Sequence, residues 1–208
     1  MNKKEQTYEI LKTRILTEEY PMGYPLNMHQ ISSELGISNS PIREALNMLE
    51  KEGLAVSTPN SVPKVVELNT EDMFEISQIM FFLILGSYRY CVRRETTGLI
   101  CENMEKMLKL ERRAAEDDDR YEYTKYNLLF QRTIIEATGN QRLLDEFDHI
   151  YPMFFLCSLY ALRDSTFEAG IKNQEELLAT IRVKDNRKVS DILAYYYYQN
   201  AWGGDRAL

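Results

Sequence analysis

The alternation of apolar and polar positions divides the chain into three textures. Between residues 3 and 19, Tyr8, Leu11 and Ile15 recur at i, i+3 and i+7, the spacing of one helix face, and predict a first helix. Residues 20–25, Tyr-Pro-Met-Gly-Tyr-Pro, break that period and predict a loop. Met28, Ile31 and Leu35 stripe a short second helix that stops at Gly36, a residue suited to the left-handed position after a helix end. A third helix is predicted from Ser38–Pro41, with a capping hydroxyl and a proline in its first turn, to about Glu52. From Leu54 to Asn69 the texture changes. LAVSTPNSVPKVVEL is β-branched and holds two prolines, predicting short strands over 55–58 and 64–67 around a Pro59-Asn60 turn. After Asn69 the 3.6-residue period returns and persists, predicting six helices over about 70–93, 96–117, 119–138, 140–162, 166–183 and 186–200.

Helix, helix, tight turn, helix and a two-stranded hairpin is the order of a winged helix-turn-helix. Six helices joined by short loops fit an antiparallel bundle. The expected fold is therefore mainly α, with a winged helix-turn-helix over residues 1–67 and an all-helical domain over 70–208. Composition agrees. Hydrophobic residues make up 44% of the chain, with 14 Tyr and 8 Phe, enough for a buried core, while nine Gly and six Pro are few for an all-β fold. Three scattered cysteines, Cys91, Cys101 and Cys157, do not suggest a disulfide scaffold and favour a reducing cytoplasm. The opening MNKKEQTYEILK is too polar for a signal peptide, and the apolar run Ile79–Gly86 is far short of the roughly 20 residues that span a bilayer. A cytoplasmic protein with no membrane partner is expected.

The net charge of −7 changes the picture for nucleic acid. Residues 1–68 carry 7 Lys/Arg against 9 Asp/Glu and the remainder 18 against 23, so neither half is basic. Any DNA binding must come from a few placed cations rather than a global field. The third helix supplies such a placement. Ile42, Ala45, Leu46 and Leu49 fall on one face, and Asn39, Arg43 and Asn47 fall together on the opposite side. Such a row is suited to base edges, since Arg pairs bidentately with guanine and Asn with adenine. An exposed polar face alone would be ordinary for any helix. The preceding short helix, the tight turn and the following hairpin favour DNA.

These residues carry a resemblance. Residues 21–27 (PMGYPLN), 32–46 (SSELGISNSPIREAL) and 47–55 (NMLEKEGLA) resemble the N-terminal domain of the GntR family of bacterial transcription regulators, over residues 4–67. The helical remainder, including ATGN at 137–140, resembles the ligand-binding domain of that family's fatty-acid-regulator-like (FCD) branch, and its six helices and short length resemble the smaller VanR-type division. The resemblance implies that Ser38, Ser40 and Arg43 contact DNA, with Asn39 standing where the family usually has Arg. It places His29 where phosphate or base contacts often lie. In the wing the usual tip Arg and Gly are missing. Asn60 tolerates the left-handed turn required there, and Lys64 is placed to reach phosphate.

Many members of the branch hold a divalent metal through one Asp and three His. By resemblance those places fall at Asn127, Gln131, Gln174 and Tyr196. The chain has only His29 and His149, so a three-His site within one subunit is impossible, and amides and a protonated phenol are weak ligands for transition metals. Met80 and Ile84 stand where the branch commonly has Arg and Glu. The expected pocket, Met80, Ile84, Asn127, Gln131, Gln174 and Tyr196, is therefore neutral, holds no cofactor, and is bordered by Phe81, Phe130 and Phe154. Asn127 and Gln131, one turn apart, are expected to bond each other, Gln174, the Tyr196 hydroxyl, water or a neutral ligand in a satisfied network. Taken singly, those rings also fit ordinary core, as do Met73, Met80, Met104 and Met107.

Enzymatic readings find no support. There is no nucleophile elbow, phosphate-cradling Gly loop or Cys-x-x-Cys, and two histidines do not suffice for a metal-dependent hydrolase. The run Glu116–Asp119 lacks calcium-loop spacing and reads as a solvated helix junction. Cys157, on an apolar helix, reads as a buried inert thiol. The expected function is a homodimeric, DNA-binding transcription regulator, with repression the first expectation and activation left open by the sequence. Its bundle dimerises, through an apolar surface that includes the tyrosine-rich last helix, and senses a neutral small molecule. It would read a pseudo-palindromic double-stranded operator. The competing reading is a dimeric interaction or small-molecule-binding protein with weakened DNA binding, motivated by the mild acidity and the altered wing.

Overall fold

The structure, a computed structural model, describes residues 2–59, 61–164 and 166–200. The chain divides into two compact units, Met1–Asn69 and Thr70–Leu208.

In the first unit, α1 (Lys3–Leu16) opens with a reciprocal cap in which Asn2 and Glu5 satisfy each other's backbone N–H. Its buried Tyr8, Leu11 and Ile15 pack on α3 (Asn39–Lys51). Its polar side is tied there as well, because Lys12 Nζ lies 2.9 Å from Glu52 Oε2 and 2.7 Å from the Tyr8 hydroxyl. Between them α2 (Met28–Leu35) is capped by Asn27, whose side chain accepts from the His29 and Gln30 N–H groups. Strands β1 (Ala55–Val56) and β2 (Lys64–Val65) form the antiparallel wing, with Ala55 opposite Val65 and Val56 opposite Lys64. Both are shorter than the four residues expected. The segment expected as a plain loop pairs with β2 instead. Leu26 N–H donates to Pro63 O at 2.7 Å, Val65 N–H to Tyr24 O at 2.9 Å, and Pro25 bridges Lys64. The stacked rings of Tyr20 and Tyr24 brace it.

The second unit is a helical bundle: α4 (Thr70–Arg93), α5 (Thr97–Glu116), α6 (Arg120–Glu136), α7 (Gln141–Ala161), α8 (Phe167–Arg182) and α9 (Asn186–Ala194). α5 and α6 pack along their length, α8 lies against α5, and α4 lies against α6 and α7. The last helix departs from expectation: the α-helix ends at Ala194, and Tyr195–Asn200 is π-helical. Glu116–Asp119 is exposed, and Asp119 caps α6 by accepting from Glu122 N–H, as befits a solvated junction. Met73, Met80 and Met104 are core, whereas Met107 is half-buried. Cys157 is fully buried, and burial pushes its thiol up to about 12.

Gly53 and Gly139 follow helix ends at φ 75° and 66°, and Gly36 is a third glycine whose residue type the turn favours. It follows α2 at φ 65°, and nothing lies within 4 Å of where a Cβ would stand. The constraint is backbone, not space. Gly36→Ala should lower stability by about 1 kcal/mol in denaturant unfolding, and Gly36→Asn by less, because Asn tolerates the left-handed region. Equal losses for the two variants would contradict a backbone origin.

Candidate nucleic-acid interface and effector cavity

The amphipathic pattern of α3 turns it so that Ile42, Ala45, Leu46 and Leu49 are buried and Asn39, Ser40, Arg43 and Asn47 face solvent. Arg43 makes no hydrogen bond or ion pair among the described residues, leaving its donor fork open. Its neighbour Glu44 is drawn aside toward Lys4, at 3.6 Å. Ser38 occupies the N-cap position, but its hydroxyl makes no capping bond, contrary to expectation. It stays exposed beside Asn39. His29 is exposed in the first turn of α2, and Lys64 is exposed on β2. Asn60 lies outside the described residues. Around it the wing tip is closed by Ser61 N–H donating to Thr58 O at 3.1 Å.

In the bundle, Asn127, Gln131 and Gln174 are all buried. Two of the expected partners are found, Tyr196 and Gln174, both at Asn127, and Tyr197 joins them as a partner the sequence reading did not name. Asn127 and Gln131 do not pair. The Tyr196 hydroxyl donates to Asn127 Oδ1 at 2.9 Å, and the Tyr197 hydroxyl donates to Gln131 Oε1. Gln174 Nε2 donates to the Asn127 carbonyl at 3.4 Å. Since that carbonyl can only accept, the Gln174 nitrogen must face it, and Gln174 Oε1 is left without a donor. The network is therefore not fully satisfied.

Met80 and Ile84 are a correction. Both are fully buried on α4, and neither lines the cavities beside these amides. Their positions on the inward face of α4 make them packing residues, as Phe81 is, against Tyr197 and Tyr198. One cavity, about 330 Å³, lies among α6, α8, α9 and the π-helical segment. Phe130, Leu177, Ile192, Leu193 and Tyr195 give it an apolar wall, and Gln131, Asn173, Gln174 and Tyr196 give it polar points. A second cavity of about 140 Å³ includes Phe154 and Tyr123 and shares Asn173 and Tyr196 with the first.

Sequence reasoning missed Glu111. It sits fully buried on α5 and accepts from Asn127 Nδ2 at 3.0 Å, while its Oε2 has no hydrogen-bond partner among the described residues. The nearby Tyr123 hydroxyl donates instead to Phe167 O at 3.2 Å. Burial raises the Glu111 carboxyl to about 8, with Asn127, Tyr123 and Arg112 opposing only in part. The signal was present: on α5 the buried positions run Thr97, Ile100, Met104, Leu108, Glu111, Ala114, so Glu111 falls on the apolar stripe. Gly170 was missed for another reason. A Cβ there would collide with the Tyr123 hydroxyl, so α8 approaches α6 over a bare backbone.

The donor set does not fit a divalent transition metal. The side-chain oxygens of Asn127 and Gln131 already accept from phenols. Burial holds those phenols neutral, Tyr196 being pushed up to about 12 and Tyr197 well above the ordinary tyrosine value. Among the described residues no group of three His, Cys, Asp or Glu side chains could hold a metal.

Comparisons with known proteins match both units. Residues 3–62 fit the family model for bacterial regulatory proteins of the gntR family, and residues 75–198 fit the FCD domain. The chain is 22% identical over 196 residues to the HTH-type transcriptional regulator YdhC of Bacillus subtilis (strain 168), covering 92% of this chain and 86% of that one. It is 24% identical to the gluconate operon transcriptional repressor of Bacillus licheniformis, covering 91% and 78%. Among solved structures, Escherichia coli McbR/YncC superposes with a TM-score of 0.74 at 21% identity, over 96% of this chain and 95% of that one, which speaks for the fold.

The buried carboxyl makes stability depend on pH. Its folded value of about 8 stands above the ordinary 4.5, so the contribution is fully present below about pH 4.5 and is lost as pH rises through about 8. Glu111→Gln, which cannot ionise, should flatten this slope. At pH 8 it should be more stable than the parent by at least about 1 kcal/mol, with the gain shrinking toward pH 5. Denaturant midpoints measured from pH 5 to 8.5 check this; parallel curves for the two proteins would contradict it.

Proposed function

This chain belongs to the gntR family of bacterial regulatory proteins, its winged helix joined to an FCD domain, and on that premise we propose how it reads DNA, assembles and senses. It is a DNA-binding transcription regulator of this family. The observation that carries the reading of DNA is the solvent face of α3, where Asn39, Arg43 and Asn47 stand in one row with an unpaired guanidinium at its centre. Ser38, Ser40 and His29 flank that row as phosphate contacts, and Lys64, with Asn60, serves the wing. A repressor role agrees with the name of the Bacillus licheniformis relative. No residue is assigned a catalytic task. Among the described residues no helix is long and apolar enough to cross a membrane.

We assign dimerisation to the bundle. The last helix contributes less than its four tyrosines suggest, because Tyr197 and Tyr198 fill the unit's own core. The better support is on α4, where Ile79, Phe82 and Tyr90 are 46%, 65% and 49% exposed and lie with Gly86 on one face. Apolar surface of this kind calls for cover, and a second copy supplies it by two-fold symmetry. The effector cavity takes a neutral, largely apolar molecule. Its walls are apolar, and its one lining cation, Lys188, is held by Glu176 at 2.9 Å. A buried ligand carboxylate would find no free cation.

Two measurements test this reading. Arg43→Ala should weaken binding to the selected operator by about 1–3 kcal/mol and relax one base position per half-site, whereas Lys64→Ala should weaken all duplexes alike and lower the salt slope. If selection from random duplexes yields no palindromic site, the interaction-protein reading takes its place. Phe82→Glu should convert the dimer to monomer in sedimentation while leaving the helical circular dichroism unchanged; a variant that still sediments as a dimer would remove α4 from the interface.

A further inference from the structure

A second groove in the bundle, of about 510 Å³, lies where the C-terminal end of α4 meets the start of α9. The Tyr88 hydroxyl donates to Asn186 Oδ1 at 2.6 Å and fixes the two helices together there. Arg89 and Arg93 line the groove from α4, and Arg187 lines it from α9. Arg112, Arg132 and Arg182 of the bundle are each held by a carboxylate of a neighbouring helix. Arg89, Arg93 and Arg187 have no ion pair among the described residues, in a region that is acidic over its length.

Two features make this gathering unfavourable without a ligand. Arg89 and Arg93 are one helical turn apart, and like charges at that spacing repel. Arg187 stands in the first turn of α9, where the positive end of the helix disfavours a cation. An anion seated between them relieves both. One carboxylate, Asp191, also lines the groove, and Asp185, the N-cap of α9, acts on Tyr88 beside it, so three guanidinium groups still outnumber the carboxylates. That surplus favours an anion, and guanidinium forks match the oxygens of a phosphomonoester better than a point cation would. Ser190 supplies a hydroxyl on the same wall.

We propose that this groove is a binding site for a small phosphomonoester, held by Arg89, Arg93 and Arg187, and separate from the neutral cavity. The test is isothermal titration of the full chain with phenyl phosphate, inorganic phosphate and benzoate at moderate salt. Phenyl phosphate should bind saturably, one per chain, with Kd below about 1 mM. The double variant Arg89→Ala/Arg187→Ala should weaken it at least about tenfold. Arg142→Ala, at an exposed arginine likewise without an ion pair among the described residues, should leave it unchanged. Benzoate binding as tightly as phenyl phosphate would overturn the phosphate assignment. So would equal losses in the double variant and in Arg142→Ala. Absence of saturable phosphate binding, with operator affinity lost in the double variant, would also overturn it by assigning these cations to DNA.

Discussion

The interior of the bundle is governed by the cost of burying the side-chain amides of α6. Asn127 and Gln131 lie on the inward face of that helix, and each would cost about 1–3 kcal/mol if desolvated without partners. The surrounding structure answers that demand. Two consecutive tyrosines, Tyr196 and Tyr197, each give a hydroxyl to one amide. A regular α-helix turns successive side chains 100° apart, and the wider π-helical turn at Tyr195–Asn200 accompanies their joint reach toward α6. On the opposite side the Asn127 nitrogen meets Glu111, which resolves its own burial by keeping its proton. Close approach of α8 at Gly170 completes the enclosure.

The winged unit follows the reverse rule. On α3, Asn39, Arg43 and Asn47 face solvent without side-chain partners among the described residues, while the groups at the α1–α3 seam are engaged, as Tyr8, Lys12 and Glu52 show. A side chain already committed to a neighbour must break that bond to meet a base, and an unpaired Arg43 carries no such cost. The acidity of the chain does not conflict with this. Glu44, the carboxylate beside Arg43, is directed toward Lys4, and local placement prevails over net charge.

How much of this was legible in the sequence follows from what each feature depends on. Helices were legible because their apolar stripes are long: α4 spans Thr70–Arg93 as its period implies. Helix ends were less so, since Glu18, Glu95, Asp118 and Lys184 take the left-handed turn at φ of 54–60° without the glycine that usually announces it. The pairing of Tyr24 and Leu26 with β2 and its flank rests on backbone bonds that no side-chain pattern records. In the bundle, Asn127, Gln131, Gln174 and Tyr196 come together, because their helical spacing and the family resemblance pointed to one interior. Met80 and Ile84 do not join them, since a shared position in a relative's site says nothing of a chain that has replaced the charges there with apolar groups. Glu111 was hidden by its chemistry: a carboxylate is read as surface unless its place on the stripe is weighed above its charge.

Charge then separates the two concavities of the bundle. In the cavity among α6, α8 and α9 the one lining cation, Lys188, is paired, so an incoming carboxylate would stay uncompensated. A neutral molecule with a hydrogen-bond donor avoids that cost and can meet Gln174 Oε1, a buried acceptor without a partner among the described residues. At the α4–α9 groove the balance is opposite, with guanidinium groups that only an anion can quiet. Both lie on α9, the cavity through Ile192 and Leu193 and the groove through Arg187 and Ser190. An occupant of either can therefore bear on the same helix. It can shift that helix only by as much as its affinity differs between the helix's two placements, so tight binding alone, without that difference, would change nothing.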